Sequence, residues 1–282
     1  MDKPNISLCL IVRNELKNLK KNLSPLLREF PEVIAVDTGS TDGTREYLYT
    51  LPKHVRVINF TWIDNFSAAR NQYIEAASHD WIYWMDADEY LDPLYVSILK
   101  DCSQKGKDTA WAYNFGPWMS YSHIKLFPNI PGIRYIMRCH EQILPSLIKA
   151  GVTKKKFFPD PFKIINTSYH RIPDKSVLRN IKLLKLDIEE KPEYLMSYLH
   201  LANAYCHFAE YDNAIDILDK CLSQKFHKPS SEDQSIQRCA AHKKQLVALH
   251  KKLHEKAERG ENLTREELDT LVRLSQQDPF KG

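Results

Sequence analysis

From Ile6 to Phe115 the chain alternates short apolar, β-branched or aromatic runs with longer segments whose apolar residues recur every three or four positions. Residues 6–12, 33–37, 55–60, 81–85 and 109–115 read as strands, and residues 15–29, 42–51, 67–77 and 93–103 as helices. That alternation admits few folds, because strand, crossover helix and strand in series build a mainly parallel sheet with helices on its faces. The strands are apolar on both sides, as burial between two layers requires, and ligands of such sheets sit at the carboxyl ends of the strands. Residues with chemistry to do are therefore expected directly after the strands.

Past Phe115 the rhythm loosens, with further strands expected over 124–127, 133–137 and 163–169 between loops containing Pro and Gly. From Pro173 the pattern is helical: Asp174 is placed to cap a helix over 175–191, which Pro192 ends. Tyr198, Leu201, Ala202, Tyr205, Ala214 and Leu218 then fall at the offsets of a tetratricopeptide helix pair. The pair reads either as a module that docks an acceptor or a second copy, or as simple packing onto the first domain. Helices over 232–258 and 264–276 complete the tail, so the expected division is an α/β domain over 1–172 and an α-helical domain over 173–282.

A hydrophobic fraction of 43% suffices for a real core, and the net charge of +4 is spread over a solvated surface. The lysines at 154–156 and the basic stretch 251–256 read as solvated faces rather than a nucleic-acid stripe, so no nucleic-acid partner is expected. Six cysteines without a Cys-x-x-Cys pair, no run of about 18 apolar residues and no leader-like N-terminus lead us to expect a cytoplasmic protein with reduced thiols. Peripheral membrane association stays open.

The strongest chemical signal is Trp81-Ile-Tyr-Trp-Met-Asp-Ala-Asp-Glu89, an apolar strand running into three carboxylates. In extended chain Asp86 and Asp88 point the same way and can converge on one hard cation. Expelling a nucleoside diphosphate from a sugar donor needs such a cation against the growing phosphate charge. A second cluster, Val36-Asp-Thr-Gly-Ser-Thr-Asp-Gly-Thr44, follows the second strand. Ser40, Thr41 or Asp42 can cap the next helix, whereas Asp37 is not needed for capping. At a central strand end, Asp37 reads either as an acceptor for the ring N–H of uracil, thymine or guanine, or as a carboxylate satisfied within its loop.

Four stretches carry a family resemblance in order and spacing: Ser7-Leu-Cys-Leu-Ile-Val-Arg-Asn-Glu15, Val36 to Thr44, Phe66-Ser-Ala-Ala-Arg-Asn71 and Met85-Asp-Ala-Asp-Glu89. Over about residues 6–170 the chain resembles the family 2 glycosyltransferases of the A-type, Rossmann-like fold. Arg138-Cys-His-Glu-Gln-Ile143, His170 and Arg179-Asn-Ile-Lys-Leu-Leu184 resemble its subgroup with a tetratricopeptide-like tail. The resemblance implies inverting transfer from a nucleotide sugar with Mg2+ or Mn2+. It leaves open whether the acceptor is a saccharide, a lipid-linked glycan or a peptide, through a hydroxyl or a thiol.

Carried onto this sequence, the resemblance makes Asp86 and Asp88 the metal-diphosphate pair and Asp37 the nucleobase residue. Arg70 would face the nucleotide or its phosphates, or else form an ion pair to Asp86 or Asp88. Asn14 and Glu15 would order the nucleoside pocket or serve the loop and helix start. The family's acidic base falls at Glu141, although His140-Glu141-Gln142 replaces the usual Glu-Asp pair, so His140 is an alternative base or an orienting neighbour. His170 corresponds to a late histidine that completes the metal site in related enzymes.

Two other functions compete. A nucleotidyltransferase would need a glycine-rich loop after the first strand, where this chain reads Val12-Arg-Asn-Glu15. A non-catalytic helical-repeat scaffold would be expected to have lost the carboxylates, all of which are present.

Overall fold

A computed structural model of the chain describes residues 3–114, 122–167, 174–224 and 231–276. His170, and the ends of the expected strands at residues 115 and 168–169, lie outside the described residues. The chain divides into two units, one of residues 1–137 and 141–171, the other of residues 138–140 and 172–282.

The first unit is built on seven strands: β1 (Ile6–Val12), β2 (Glu32–Asp37), β3 (Val55–Asn59), β4 (Trp81–Trp84), β6 (Thr109–Asn114), β7 (Ser122–Pro128) and β8 (Lys154–Phe157). They lie in the order β3-β2-β1-β4-β7-β6-β8. β1 is parallel to β2 and β4, β2 to β3, and β6 to β8, while β7 runs antiparallel between β4 and β6. Two short strands, β5 (Glu89–Leu91) and β9 (Ile164–Asn166), pair antiparallel beside this sheet.

Successive side chains of β1 and β2 enter different cores. Leu8, Leu10, Val33 and Ala35 join one apolar cluster, and Cys9, Ile34 and Val36 the other. The period of two thus explains why these strands are apolar throughout: both faces are covered. β3 and β8 are the edges, and β3 is accordingly half exposed while the Lys154–Lys156 run of β8 is open to solvent, a placement that blunts edge pairing.

The expected helix over 15–29 is not one helix. A turn at Leu16–Asn18 passes into a π turn at Leu19–Leu23 and a 3-10 turn at Ser24–Leu26. Leu19, Leu23 and Leu26 are still buried, but Pro25 has no amide to continue an α-helix, and the buried Asn22 turns its Nδ2 to the Ala87 carbonyl at 2.8 Å. The helices over 44–49 (Thr44–Tyr49), 66–76 (Phe66–Ala76) and 96–103 (Val96–Ser103) follow the expected crossovers. We label Phe66–Ala76 α1; its N-terminus is capped by Asn65, which accepts from the Ala68 amide at 2.9 Å.

Residues 133–137 do not form the expected strand. The Asn71 amide of α1 takes both backbone groups of Tyr135, accepting its N–H at 2.8 Å and donating to its carbonyl at 3.1 Å. One side chain thereby supplies the bonds a neighbouring strand would have made.

The second unit is helical: α2 (Asp174–Glu190), α3 (Leu195–His207), α4 (Tyr211–Ser223), α5 (Ser231–Glu258) and α6 (Arg265–Gln276), each packed on the next. Tyr198, Leu201 and Ala202 of α3 and Ala214 and Leu218 of α4 are buried, as their helical spacing predicts. Arg138 belongs here too, its amide held by Asp187 of α2 at 2.9 and 3.0 Å. Among the described residues no helix is long and apolar enough to cross a membrane.

Glu32, at the start of β2, ties β1 to the end of the Phe66–Ala76 crossover. It accepts from Ser7 Oγ at 2.6 Å, the Ser78 amide at 2.9 Å and Arg56 Nη1 at 3.2 Å. Burial alone would raise its carboxyl, but these bonds outweigh that and hold it down to about 2. A depressed folded value stabilises the protein above the unfolded carboxyl range and is lost as pH falls toward 2. Glu32→Gln is therefore expected to lower stability at pH 6 and to flatten the loss between about pH 4.5 and 2. Urea unfolding of both proteins across that range checks it, and parallel curves would refute the role.

Candidate active site

β1, β2 and β4 each lead, at their carboxyl ends, into a loop that carries candidate residues. β1 ends at Val12, paired in register with Asp37 at the end of β2. The two loops that follow are tied together: Asn14 Oδ1 accepts the Thr41 amide at 2.7 Å, the Asn14 amide donates to Ser40 Oγ at 3.0 Å, and the Glu15 amide donates to Thr44 Oγ1 at 2.8 Å. Asn14 takes φ +58°, a region that asparagine tolerates through such local bonds. Gly39 and Gly43, at φ +103° and +92°, let the second loop turn without strain. Backbone and side chain of Asn14 thus act in the loop, while the Glu15 carboxyl is pushed up, first by burial and then by the charges of Asp88, Asp42 and Asp86.

Asp37 is completely buried. Its Oδ1 accepts the Ser40 amide at 3.0 Å and its Oδ2 the Arg45 Nε at 2.5 Å. Burial would raise the carboxyl, but these partners hold it below the usual carboxylate range. Arg45, whose side chain is 37% exposed, is a partner that sequence reasoning missed.

Asp86 and Asp88 do not sit in extended chain. β4 stops at Trp84, and a turn closed by the Glu89 amide on the Asp86 carbonyl at 3.0 Å carries both carboxylates. Every residue of that turn is pinned. The Met85 amide donates to the Cys9 carbonyl at 3.0 Å and the Asp86 amide to Glu89 Oε2 at 2.9 Å. The Ala87 carbonyl takes Asn22, and the Asp88 carbonyl takes the Thr167 amide at 2.7 Å and hydroxyl at 2.8 Å.

Arg70 of α1 is buried at the centre of the site. Nε donates to Glu141 Oε1 at 2.9 Å, Nη2 to Asp86 Oδ1 at 3.2 Å, and the guanidinium carbon lies 4.1 Å from the Trp84 ring centroid. The motif Phe66-Ser-Ala-Ala-Arg-Asn71 now has a physical reading. Ser67, Arg70 and Asn71 share one helix face at offsets of three and four, and bind Met137 O, Glu141 and Tyr135 respectively.

The charges are uneven. Burial pushes the Asp86 carboxyl up, yet the Arg70 and Lys125 cations hold it below the usual range. Asp88 is raised instead, by burial and then by the Asp86 charge, and its carboxylate accepts Asn166 Nδ2 at 3.3 Å, a neutral amide. Asp86, Asp88, Glu89 and Glu141, with Glu15 beside them, outnumber the two cations Arg70 and Lys125. A bound cation would offset that excess of negative charge. No group of three His, Cys, Asp or Glu side chains able to hold a metal is found among the described residues. Two carboxylates completed by substrate phosphates and water are nevertheless an ordinary Mg2+ arrangement. The residues fit the ion on charge and on ligand type.

The structure thus brings Glu141, Arg70, Asp86 and Asp88 together. His140 is placed differently: at φ +54° its ring stacks on His200 of α3, centroids 3.9 Å apart, within the helical unit. Lys125 and Trp84 were missed because an interior lysine on a strand and an apolar strand residue carry no sequence pattern that marks them as neighbours.

The model of the family described as Glycosyl transferase family 2 matches residues 7–137. Over 159 residues the chain is 33% identical to a TPR repeat-containing protein of Synechococcus elongatus, a match covering 51% of this chain and 36% of that protein. Over 87 residues it is 40% identical to the SPbeta prophage-derived glycosyltransferase SunS of Bacillus subtilis, covering 31% of this chain and 21% of SunS. The chain therefore spans about a third and about a fifth of the length of these curated relatives. Among solved structures, S. aureus TarS 1-349 in complex with UDP-GlcNAc aligns with a TM-score of 0.48 at 14% identity, covering 92% of this chain and 93% of that one. The matched residues take in nearly all of β1, the Asp37 loop, the Arg70 helix and the Asp86–Asp88 turn, so residues 7–137 of this chain are similar to the family 2 glycosyltransferases.

Proposed function

We propose that this protein transfers a sugar, with inversion, from a nucleoside-diphosphate donor to an acceptor hydroxyl, with Mn2+ or Mg2+ held by Asp86 and Asp88. The observation that carries this reading is the pinned turn at Asp86–Asp88, whose excess negative charge lies beside the Arg70–Glu141 ion pair. When bound, the metal supplies neutralisation of the charge that develops on the leaving diphosphate. Asp86 and Asp88 hold it, and Arg70 sets Asp86 and Glu141 on two edges of one planar group. Glu141 accepts the proton of the acceptor hydroxyl on the side away from the leaving group. Saccharides, lipid-linked glycans and peptides all offer such a hydroxyl. Release of nucleoside diphosphate, without pyrophosphate, from a panel of nucleotide sugars with manganese tests the reaction class; pyrophosphate release would favour a nucleotidyltransferase instead.

Asp37 is the group we propose for the nucleobase. The partly exposed Arg45 can swing off Oδ2 to admit a ring N–H. Uracil has that N–H, whereas cytosine presents a lone pair that would face the carboxylate. UDP is therefore expected to bind about tenfold or more tightly than CDP in calorimetry with manganese present. Equal affinities would remove Asp37 from base recognition. We further propose that His170, beyond the described residues, completes the metal site, and that the α3–α4 pair serves acceptor docking or self-association.

A further inference from the structure

Lys125 belongs to none of the motifs that mark the site, yet it is a completely buried cation paired with Glu89, which closes the Asp86–Asp88 turn. It sits on β7, next to β4 in the sheet, where Tyr83 pairs with Leu126. Its Nζ donates to both carboxylate oxygens of Glu89, at 2.7 and 2.8 Å, and lies 3.4 Å from the Trp84 ring centroid. Arg70 lies over the same indole at 4.1 Å. The ring is itself fixed, because Trp84 Nε1 donates to the Ile124 carbonyl at 2.6 Å. Two cations thus share one indole, which attracts both through its quadrupole. Each carries its own anion: Arg70 takes Asp86 and Glu141, Lys125 takes Glu89.

Asp86 stands at the junction of the two pairs. Its carboxylate is oriented by Arg70 at 3.2 Å, and its backbone amide by Glu89 Oε2 at 2.9 Å, the same oxygen that Lys125 holds. A buried ion pair of this kind contributes little to stability compared with apolar residues of the same volume, so stability alone does not account for it. Groups that orient a ligand-bearing residue from behind typically change metal affinity 10–100-fold when removed.

We propose that Lys125 and Glu89, braced on Trp84, are positioning residues that aim Asp86 at the metal-diphosphate of the donor. The proposal rests on the reading of Asp86 and Asp88 as the metal-diphosphate pair. Lys125 fixes the rotamer of Glu89, Glu89 fixes the amide of Asp86, and the turn presents its carboxylates at one spacing. The pair touches neither sugar nor phosphate.

The test uses the full chain with UDP and manganese chloride as probes. Lys125→Met combined with Glu89→Leu removes both charges together and leaves no uncompensated ion inside. The double variant is expected to keep its Tm within a few degrees and its metal-independent UDP affinity, and to lose about tenfold or more of the manganese-dependent UDP affinity. A purely structural pair would move Tm and leave the manganese-dependent increment alone, and an increment equal to wild type would overturn the proposal. Should the double variant fail to fold, Glu89→Gln keeps the side-chain shape and is expected to lose part of the same increment; no loss there would also overturn it. Asp86→Asn in the same titration separates the two levels. If it weakens binding while the Lys125 and Glu89 variants do not, only the positioning role falls. If it has no effect, the site reading and the proposal fall together.

Discussion

Asp88→Asn is expected to lower sugar transfer by about 10³-fold or more while the protein stays folded. The physical case is in the turn. Asp88 is held beside Asp86, its carboxyl is raised by burial and by that neighbour's charge, and its carboxylate accepts a neutral amide from Asn166. Asparagine keeps the volume and a carbonyl oxygen for Asn166, so no cavity forms, and it removes one of two crowded like charges. Tm should therefore equal or slightly exceed that of the wild type, the pattern of a residue kept for function at some expense to stability. Turnover of a nucleotide sugar, followed as released nucleoside diphosphate with manganese present, is the measurement. Turnover at the wild-type level, still dependent on metal, would remove Asp88 from the site.

For Glu141→Gln the expected loss is about 10²–10⁴-fold in kcat, with UDP and manganese affinity retained. Glutamine still offers an oxygen to Arg70 Nε, so the guanidinium keeps a partner and its bond to Asp86 is undisturbed. What disappears is the capacity to take a proton from the acceptor. If binding falls before kcat, Glu141 shapes the donor pocket instead. His140→Ala is the companion measurement. With its ring stacked on His200, His140 is expected to cost less than the Glu141 change when replaced; a loss as large would make the histidine the base. A thiol acceptor, already partly ionised near neutral pH, would blunt both effects, so the assay must use a hydroxyl.

The site was legible to unequal degrees. Asp37, Asp86 and Asp88 stand out in the sequence because carboxylates at strand ends in a βαβ series are expected to face a ligand, and for Asp37 the geometry displays the other reading, a carboxylate satisfied by Ser40 and Arg45. Glu141 followed from family resemblance, and its ion pair to Arg70, 71 residues earlier in the chain, adds a contact no local pattern contains. For Arg70 two readings stood side by side, and the ion pair to Asp86 is the one the geometry displays. Asn14 and Glu15 likewise show their loop role most directly, through bonds to Ser40, Thr41 and Thr44. His170 lies outside the described residues. Arg45 and Lys125 escaped notice because basic residues at those positions look like ordinary surface charge until their burial or their partners are known.

The sequence by itself determined the strand-helix alternation up to residue 114, the two-sided burial of β1, β2 and β4, and the helical character of the tail. Each follows from a period of two or 3.6 residues that needs no knowledge of what lies opposite. Only the tertiary structure decided where local preference yields to a distant partner. The stretch over 15–29 breaks into three turns where Pro25 lacks an N–H and Asn22 answers the Ala87 carbonyl, and residues 133–137 keep a single bridge, Ile136 to Gln142, while Asn71 takes the backbone bonds of Tyr135. Asp86 and Asp88 are carried by a turn rather than a strand because Cys9, Glu89 and Thr167 pin its backbone from three directions. Buried polar groups must be satisfied wherever a partner can be found, and the identity of that partner is set by the packing of the whole domain.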